Sequence, residues 1–275
     1  MNKYEVINGE RFKFGANWLR FLEVLNEDRI ETAIKSLQEM LDVENLQGKK
    51  FLDIGSGSGL FSLAARRLGA TVHSFDYDSQ SVACTAELKH RYFDDDMQWL
   101  VESGSVLDKE YLAQLGQFDV VYSWGVLHHT GGMWQALENV TPIVSQNGKL
   151  FIAIYNDQGR ASIMWSTTKK IYNRLPSGLR WIVLLPAVLR LWGPTTLKDI
   201  LKGRPFSTWR DYKDHGRGMS PWRDVIDWVG GYPFEVAKPE EIFDFYQDRG
   251  FWLKKLKTCA GGLGCNEFIF YKKKE

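Results

Sequence analysis

The sequence predicts an α/β fold, a seven-stranded and mostly parallel sheet with helices on both faces, and three observations carry that expectation. Short apolar runs alternate with segments of helical period from residue 48 to 155, and the alternation resumes near residue 237. A length of 275 residues with 44% hydrophobic side chains supports a large core. Charged residues at 25% and only 8 prolines exclude a disordered chain, a collagen-like repeat and a low-complexity scaffold.

Residues 17 to 42 repeat apolar side chains at three- and four-residue intervals, among them Leu22, Leu25, Ile30, Leu37 and Leu41, which predicts one or two amphipathic helices in an N-terminal cap over residues 1 to 47. Phe51-Leu52-Asp53-Ile54 then reads as a strand ahead of a glycine cluster, and LFSLAARRLG as a helix closed by Gly69. TVHSFD predicts a second strand, residues 79 to 91 a polar helix, MQWLVESG and QFDVVYSWG two further strands, residues 133 to 144 a helix, and GKLFIAIYN a fifth strand. PEEIFDFYQDRG predicts the last helix, started by Pro239 with Glu240 and Glu241 at the positive end of its dipole and stopped by Gly250. FWLKKLKTC and NEFIFYK complete the seven strands.

Between the fifth strand and that last helix the rhythm breaks. Residues 156 to 234 hold 13 Lys and Arg against 6 Asp and Glu, a local charge of +7, while the rest of the chain is −6 although the net charge is +1. Six of the eleven tryptophans (Trp165, Trp181, Trp192, Trp209, Trp222, Trp228) fall there too, so composition marks an insertion into the sheet domain, which spans 48 to 155 and 235 to 275. Cys84, Cys259 and Cys265 form no CxxC pair, which argues against a disulfide framework and a thiolate zinc site and fits a reducing, cytoplasmic compartment. The N-terminus has no apolar core of signal-peptide length, and no run reaches the ~18 residues of a membrane span.

Asp53-Ile54-Gly55-Ser56-Gly57-Ser58-Gly59 lies where a buried strand turns into a helix, and glycines there let a ligand approach the main chain. The spacing is G-x-G-x-G, with Leu60 where a dinucleotide site needs its third glycine, so NAD is disfavoured. Asp76 ends the second strand, placed to accept two hydrogen bonds from a ribose diol, unless it merely caps the next helix.

Four motifs in order, FLDIGSGSG, SFDYD, GSVLD and FDVVYSWGVLHH, resemble those of the class I S-adenosylmethionine-dependent methyltransferases, over about residues 48 to 155 and again 237 to 272. The resemblance implies a Rossmann-like sheet and S-adenosylmethionine as cofactor, released as S-adenosylhomocysteine. It implies that Asp53, Gly55, Ser56, Gly57 and Gly59 hold the methionine end, that Asp76 binds the ribose and that Tyr77 packs against the adenine. Ser105 and Val106 would meet the adenine edge, and Ser123 with Trp124 would line the floor below the sulfonium. Phe14, Trp18 and Arg20 would belong to a lid over the cofactor.

Methyl transfer from a sulfonium is an in-line displacement with a neutral leaving group, so alignment and exclusion of water suffice, but a hydroxyl acceptor must also lose a proton. His128 and His129 follow the fourth strand at the sheet's carboxyl edge, and since adjacent side chains diverge, His129 is preferred as the base. The ubiquinone-type O-methyltransferases show a loop resembling E-x-x-E-H here; this chain reads Gly125-Val126-Leu127-His128-His129, without the carboxylates a hard divalent cation seeks, so no metal is expected.

The insertion is expected to select the acceptor. His215, Arg217, Trp222, Asp224, Asp227 and Tyr232 mix arginine forks, carboxylates and aromatic faces suited to a polar pocket. LRWIVLLPAVLRLW, residues 179 to 192, is too short to span a bilayer and is interrupted by Pro186; it reads either as a buried lid helix or as an interfacial contact with a membrane or lipid tail. The leading expectation is O-methylation of a small molecule, a sugar, phenol or carboxylate, anionic or lipid-linked. A peptide or protein acceptor is the alternative. RNA is disfavoured because Ser123-Trp124-Gly125-Val126 does not resemble an Asn-Pro-Pro-Tyr motif, and a non-catalytic cofactor-binding protein ranks last. Homodimerisation is left open.

Overall fold

The computed structural model describes Trp18 and residues 21 to 212 and 221 to 273. They divide into two compact units, one holding the residues up to Gly159 and from Glu235 onward, the other Arg160–Phe234.

The first unit is a seven-stranded sheet built in chain order from α1 (Glu27–Leu41), β1 (Lys50–Ile54), α2 (Leu60–Arg67), β2 (Thr71–Asp76), α3 (Ser79–Tyr92), β3 (Trp99–Ser103), α4 (Lys109–Leu115), β4 (Phe118–Trp124), α5 (Met133–Val140) and β5 (Val144–Tyr155). It is completed by a later helix (Pro239–Gln247) and the strands β6 (Phe251–Lys257) and β7 (Cys265–Lys272). The strand order is β3-β2-β1-β4-β5-β7-β6, with β7 antiparallel to both neighbours and the other pairs parallel. The chain leaves β1 toward β2 and returns to place β4 on the opposite side, so the order reverses between β1 and β4. In such sheets the crevice at the carboxyl ends on either side of this reversal is where ligands collect.

Alternation along the strands fills two cores. Leu52, Ile54, Val121 and Ile152 pack with Leu137 of α5 and Ile242 of the later helix on one face. Phe51, Val120, Tyr122 and Phe151 pack with Leu37 of α1 and Leu63 of α2 on the other. α1 begins at Glu27 because Asn26 caps it, its side chain accepting the Arg29 N–H at 3.1 Å. The later helix has Pro239 in its first turn, as expected, and Glu241 accepts the Lys238 N–H at 2.7 Å. α4 was not foreseen between the third and fourth strands; its signal is Asp108, whose carboxylate accepts from the N–H groups of Glu110 and Tyr111.

The second unit is helical: α6 (Arg160–Arg174), α7 (Trp181–Leu201), α8 (Ser207–Arg210) and α9 (Pro221–Gly230) precede the first unit's returning helix, α10 (Pro239–Gln247). Pro186 does not interrupt α7, which runs through both it and Pro194. Of the two readings of residues 179 to 192, the buried one is not what the structure shows, since the buried apolar side chains of α7 are Leu184 and Ala187 while Trp181, Ile182, Leu185 and Leu189 are exposed.

At the centre of this unit Lys169 is completely buried. Its ammonium lies 4.2 Å from the Trp228 ring centroid and 4.7 Å from that of Phe234, and it donates to the Trp228 carbonyl. Asn173 ties the same corner, its Nδ2 donating to the Lys169 and Gly230 carbonyls at 2.9 and 2.7 Å. Aromatic faces and a carbonyl make this burial tolerable, yet desolvation still holds the ammonium's pKa well below its ordinary value. The unfolded chain therefore binds this proton more readily than the folded one, and stability rises with pH on the alkaline side up to about 10.4. Lys169→Met should remove that rise, read as urea midpoints at about pH 8 and 10; a variant that gains stability as steeply as the parent would contradict the account.

Candidate functional site

The turn leaving β1 is held in a shape that only glycine adopts comfortably. Gly55, Gly57 and Gly59 have φ of +75°, +55° and +78°. The N–H groups of Gly55 and Ser56 both donate to the Phe75 carbonyl, at 2.8 and 3.2 Å, which draws the turn onto the end of β2. A Cβ on Gly55 would strike the Val126 side chain, and one on Gly57 would come within 3.1 Å of the Trp18 indole nitrogen. Trp18, expected as part of a lid over the cofactor, lies against the glycine turn; Phe14 and Arg20, the other lid candidates, fall outside the described residues. The Ser56 hydroxyl hydrogen-bonds Thr85 of α3 at 2.9 Å, fixing the turn from its other side.

Asp76 joins this turn to the end of β2. One carboxylate oxygen accepts the Gly57 N–H at 3.0 Å and the other the Asp78 N–H at 2.9 Å. The cap of α3 is Asp78, which accepts the Gln80 N–H at 3.0 Å, so capping is not what Asp76 does. Both of these bonds come from the main chain, so the carboxylate is held in a fixed orientation at the end of β2. Tyr77 follows at the same edge, half-buried.

Asp53 is buried beneath the turn and receives a relay of donors absent from the sequence reading. Trp99 Nε1–H donates to Ser74 Oγ at 2.9 Å, Ser74 to Ser62 Oγ at 2.8 Å, and Ser62 to Asp53 at 2.5 Å. The signal was two serines in otherwise apolar contexts, and the β1–β2 register pairs Asp53 with Ser74. Burial outweighs the Ser62 bond and pushes the Asp53 carboxyl up to about 7.

Among the later motifs, Ser105 turns its hydroxyl to the Leu107 N–H at 3.3 Å. Val106 sends its side chain into the core, and its carbonyl accepts from Asn139 at 2.9 Å. Ser123 is wholly buried and donates to the Ile54 carbonyl at 3.1 Å, so its hydroxyl fastens β4 to β1. Trp124, half-buried at the strand end, is left at that position.

The histidines occupy a single 3-10 turn, Leu127–His129. Their rings do not diverge as expected but converge on Tyr155, at 3.9 Å for His128 and 5.3 Å, edge-on, for His129, with 4.5 Å between the two imidazoles. His128 is fully buried and its Nδ1 accepts the Tyr155 N–H at 3.3 Å, which leaves its proton on Nε2. Glu235, missed in the sequence, reaches this turn from the far end of the insertion: its N–H donates to the His128 carbonyl at 3.0 Å, and its carboxylate accepts the Met133 N–H at the start of α5, also at 3.0 Å. No group of three or more metal-ligating side chains is assembled among the described residues.

The acceptor candidates belong to the helical unit. His215 and Arg217 fall outside the described residues. Trp222 is exposed on α9, Asp224 accepts a hydrogen bond from the Tyr212 hydroxyl, and Asp227 and Tyr232 are half-buried.

Residues 52–150 match the family model described as "Methyltransferase domain". The ubiquinone biosynthesis O-methyltransferase of Klebsiella pneumoniae is 28% identical over 160 residues, covering 56% of this chain and 64% of that protein; the chain thus spans under two thirds of that relative's length. A ribosomal protein L11 methyltransferase of Methylococcus capsulatus is 50% identical over 50 residues, 18% of this chain and 17% of that protein. In structure the chain is similar to magnesium protoporphyrin IX methyltransferase of Synechocystis, solved with S-adenosylhomocysteine, with a TM-score of 0.51 at 15% identity over 89% of this chain and 82% of that one. It is also similar to PKMT2 of Rickettsia typhi, TM-score 0.53 at 13% identity over 88% and 54%. At such identities the structural likeness establishes the fold.

The Asp53 carboxyl gives a direct check on this geometry. Its folded pKa is raised, so between about pH 4 and 7 the folded chain keeps a proton that the unfolded chain loses, and stability falls as pH rises through that window, by up to about 1.4 kcal/mol per pH unit. Asp53→Asn should flatten this part of the urea-unfolding profile. An unaltered slope would show that Asp53 is not buried as described.

Proposed function

We propose that this chain, which carries a class I S-adenosylmethionine-dependent methyltransferase domain, transfers a methyl group from that cofactor to an oxygen of a small-molecule acceptor. The observation that supports it most is the Asp76 carboxylate at the end of β2, which the Gly57 and Asp78 N–H groups orient beside the glycine turn next to the reversal of the strand order. The residues present fit S-adenosylmethionine: Asp76 would take the ribose hydroxyls, Tyr77 would pack on the adenine, and the turn Gly55 to Gly59 under Trp18 would hold the methionine portion. The Gly55 and Gly57 N–H groups are already bonded within the protein, so this turn contributes close approach and carbonyl oxygens more than amide donors.

When bound, the cofactor supplies a methyl carbon activated by a sulfonium. The protein's part is to align the acceptor in line with that carbon, exclude water and take up the hydroxyl proton. A ring nitrogen of His129 is assigned the proton. His128, whose Nδ1 accepts the Tyr155 N–H, steadies the turn. The distant likeness to the ubiquinone enzyme supports oxygen as the atom methylated, with a phenol, sugar or carboxylate as the acceptor class, and acceptor choice is assigned to the helical insertion.

Calorimetry with S-adenosylhomocysteine should show Asp76→Ala binding about 10- to 100-fold more weakly than the parent, the loss expected for charged hydrogen bonds. Unchanged affinity would remove the ribose assignment. His129→Ala should keep that affinity while turnover, followed by methyl transfer to phenol, sugar and carboxylate panels, drops about a hundredfold or more. Parental turnover in this variant would exclude His129 as the base.

A further inference from the structure

We propose that the helical unit docks through one face of α7 on an anionic lipid surface. At 100° per residue, Trp181, Leu185, Leu189 and Ile182 fall within an arc of about 100° on this helix. Their fractional exposures are 60%, 55%, 63% and 50%, and Leu179, just before the helix, is 46% exposed. A contiguous apolar stripe of this kind, with a tryptophan at its end, is the pattern of a helix lying in the interfacial plane. No helix among the described residues is long and apolar enough to cross a membrane, so contact by this stripe would be peripheral.

Charge selects the occupant. Residues 156 to 234 carry +7 while the rest of the chain carries −6. On the described surface of the unit Lys170, Arg174, Arg190 and Lys198 are exposed, whereas Asp199 is buried and Asp211 is the one exposed carboxylate. Asp199 is held inside by the Thr208 N–H and hydroxyl, at 2.8 and 2.9 Å, which further removes negative charge from the surface. An acidic protein would match the charges but not a stripe of aliphatic side chains with a tryptophan at its edge. A bilayer with anionic headgroups matches both, because cations attract the headgroups while the apolar side chains enter the acyl boundary. This goes beyond the methyl-transfer reading and does not depend on it.

The test is sedimentation of the full chain with vesicles of phosphatidylcholine alone or mixed with phosphatidylglycerol, with analytical ultracentrifugation of the protein by itself. The chain should pellet with the mixed vesicles, release as salt rises, and bind phosphatidylcholine alone at least about tenfold more weakly. The exposed double substitution L185E/L189E should abolish pelleting with an unchanged far-ultraviolet spectrum, and R174A/R190A should weaken it roughly fivefold per charge. Pelleting by L185E/L189E equal to the parent's, or no pelleting with either vesicle, overturns the proposal. So does a stable dimer that L185E/L189E dissociates, since the stripe would then be an interface between copies. Calorimetric affinity for S-adenosylhomocysteine should be the same in both variants and the parent, which keeps this outcome separate from the fate of the catalytic reading.

Discussion

The carboxylate of Asp76 is the point on which the site turns. It ends β2, yet one oxygen binds the amide of Gly57 in the turn leaving β1 and the other binds Asp78 at the start of α3. Three segments meeting at the reversal of strand order are thereby fixed by one side chain. The glycine turn can be so tight because Phe75, beside Asp76, takes the Gly55 and Ser56 amides on its carbonyl. A ribose-sized ligand at this edge would find its acceptor already oriented, which is the pre-organisation that alignment-driven chemistry requires.

Much of this was legible in the sequence. The strands at Lys50–Ile54 and Thr71–Asp76 stand where apolar runs end in glycine or aspartate, and the helix after Pro239 begins where its missing N–H costs nothing. What could not be read were contacts that sequence distance hides. The Trp99–Ser74–Ser62–Asp53 relay joins four elements and exists only once the strands are in register. The bond from the Ser123 hydroxyl to the Ile54 carbonyl, which ties β4 to β1, is likewise invisible until the strands are paired. The histidines were expected to diverge as adjacent side chains; a 3-10 turn and the Tyr155 ring bring them together.

The insertion shows where local propensity is a poor guide. Pro186 and Pro194 both lie within one helix, since an exposed helix can leave the carbonyls they orphan to solvent. Hydropathy left burial of that helix open, whereas a fully buried side chain of the unit is a lysine enclosed by Trp228 and Phe234. A charged residue type in an aromatic surround gives no periodic signal, and its partner lies 59 residues away.

A crystal structure of the chain with S-adenosylhomocysteine tests the central claim most directly. The account requires the nucleoside at the carboxyl ends of β1 and β2, both ribose hydroxyls within hydrogen-bond reach of Asp76, and the Gly57 amide still on that carboxylate. A nucleoside bound elsewhere, or ribose hydroxyls turned away from Asp76, would contradict it.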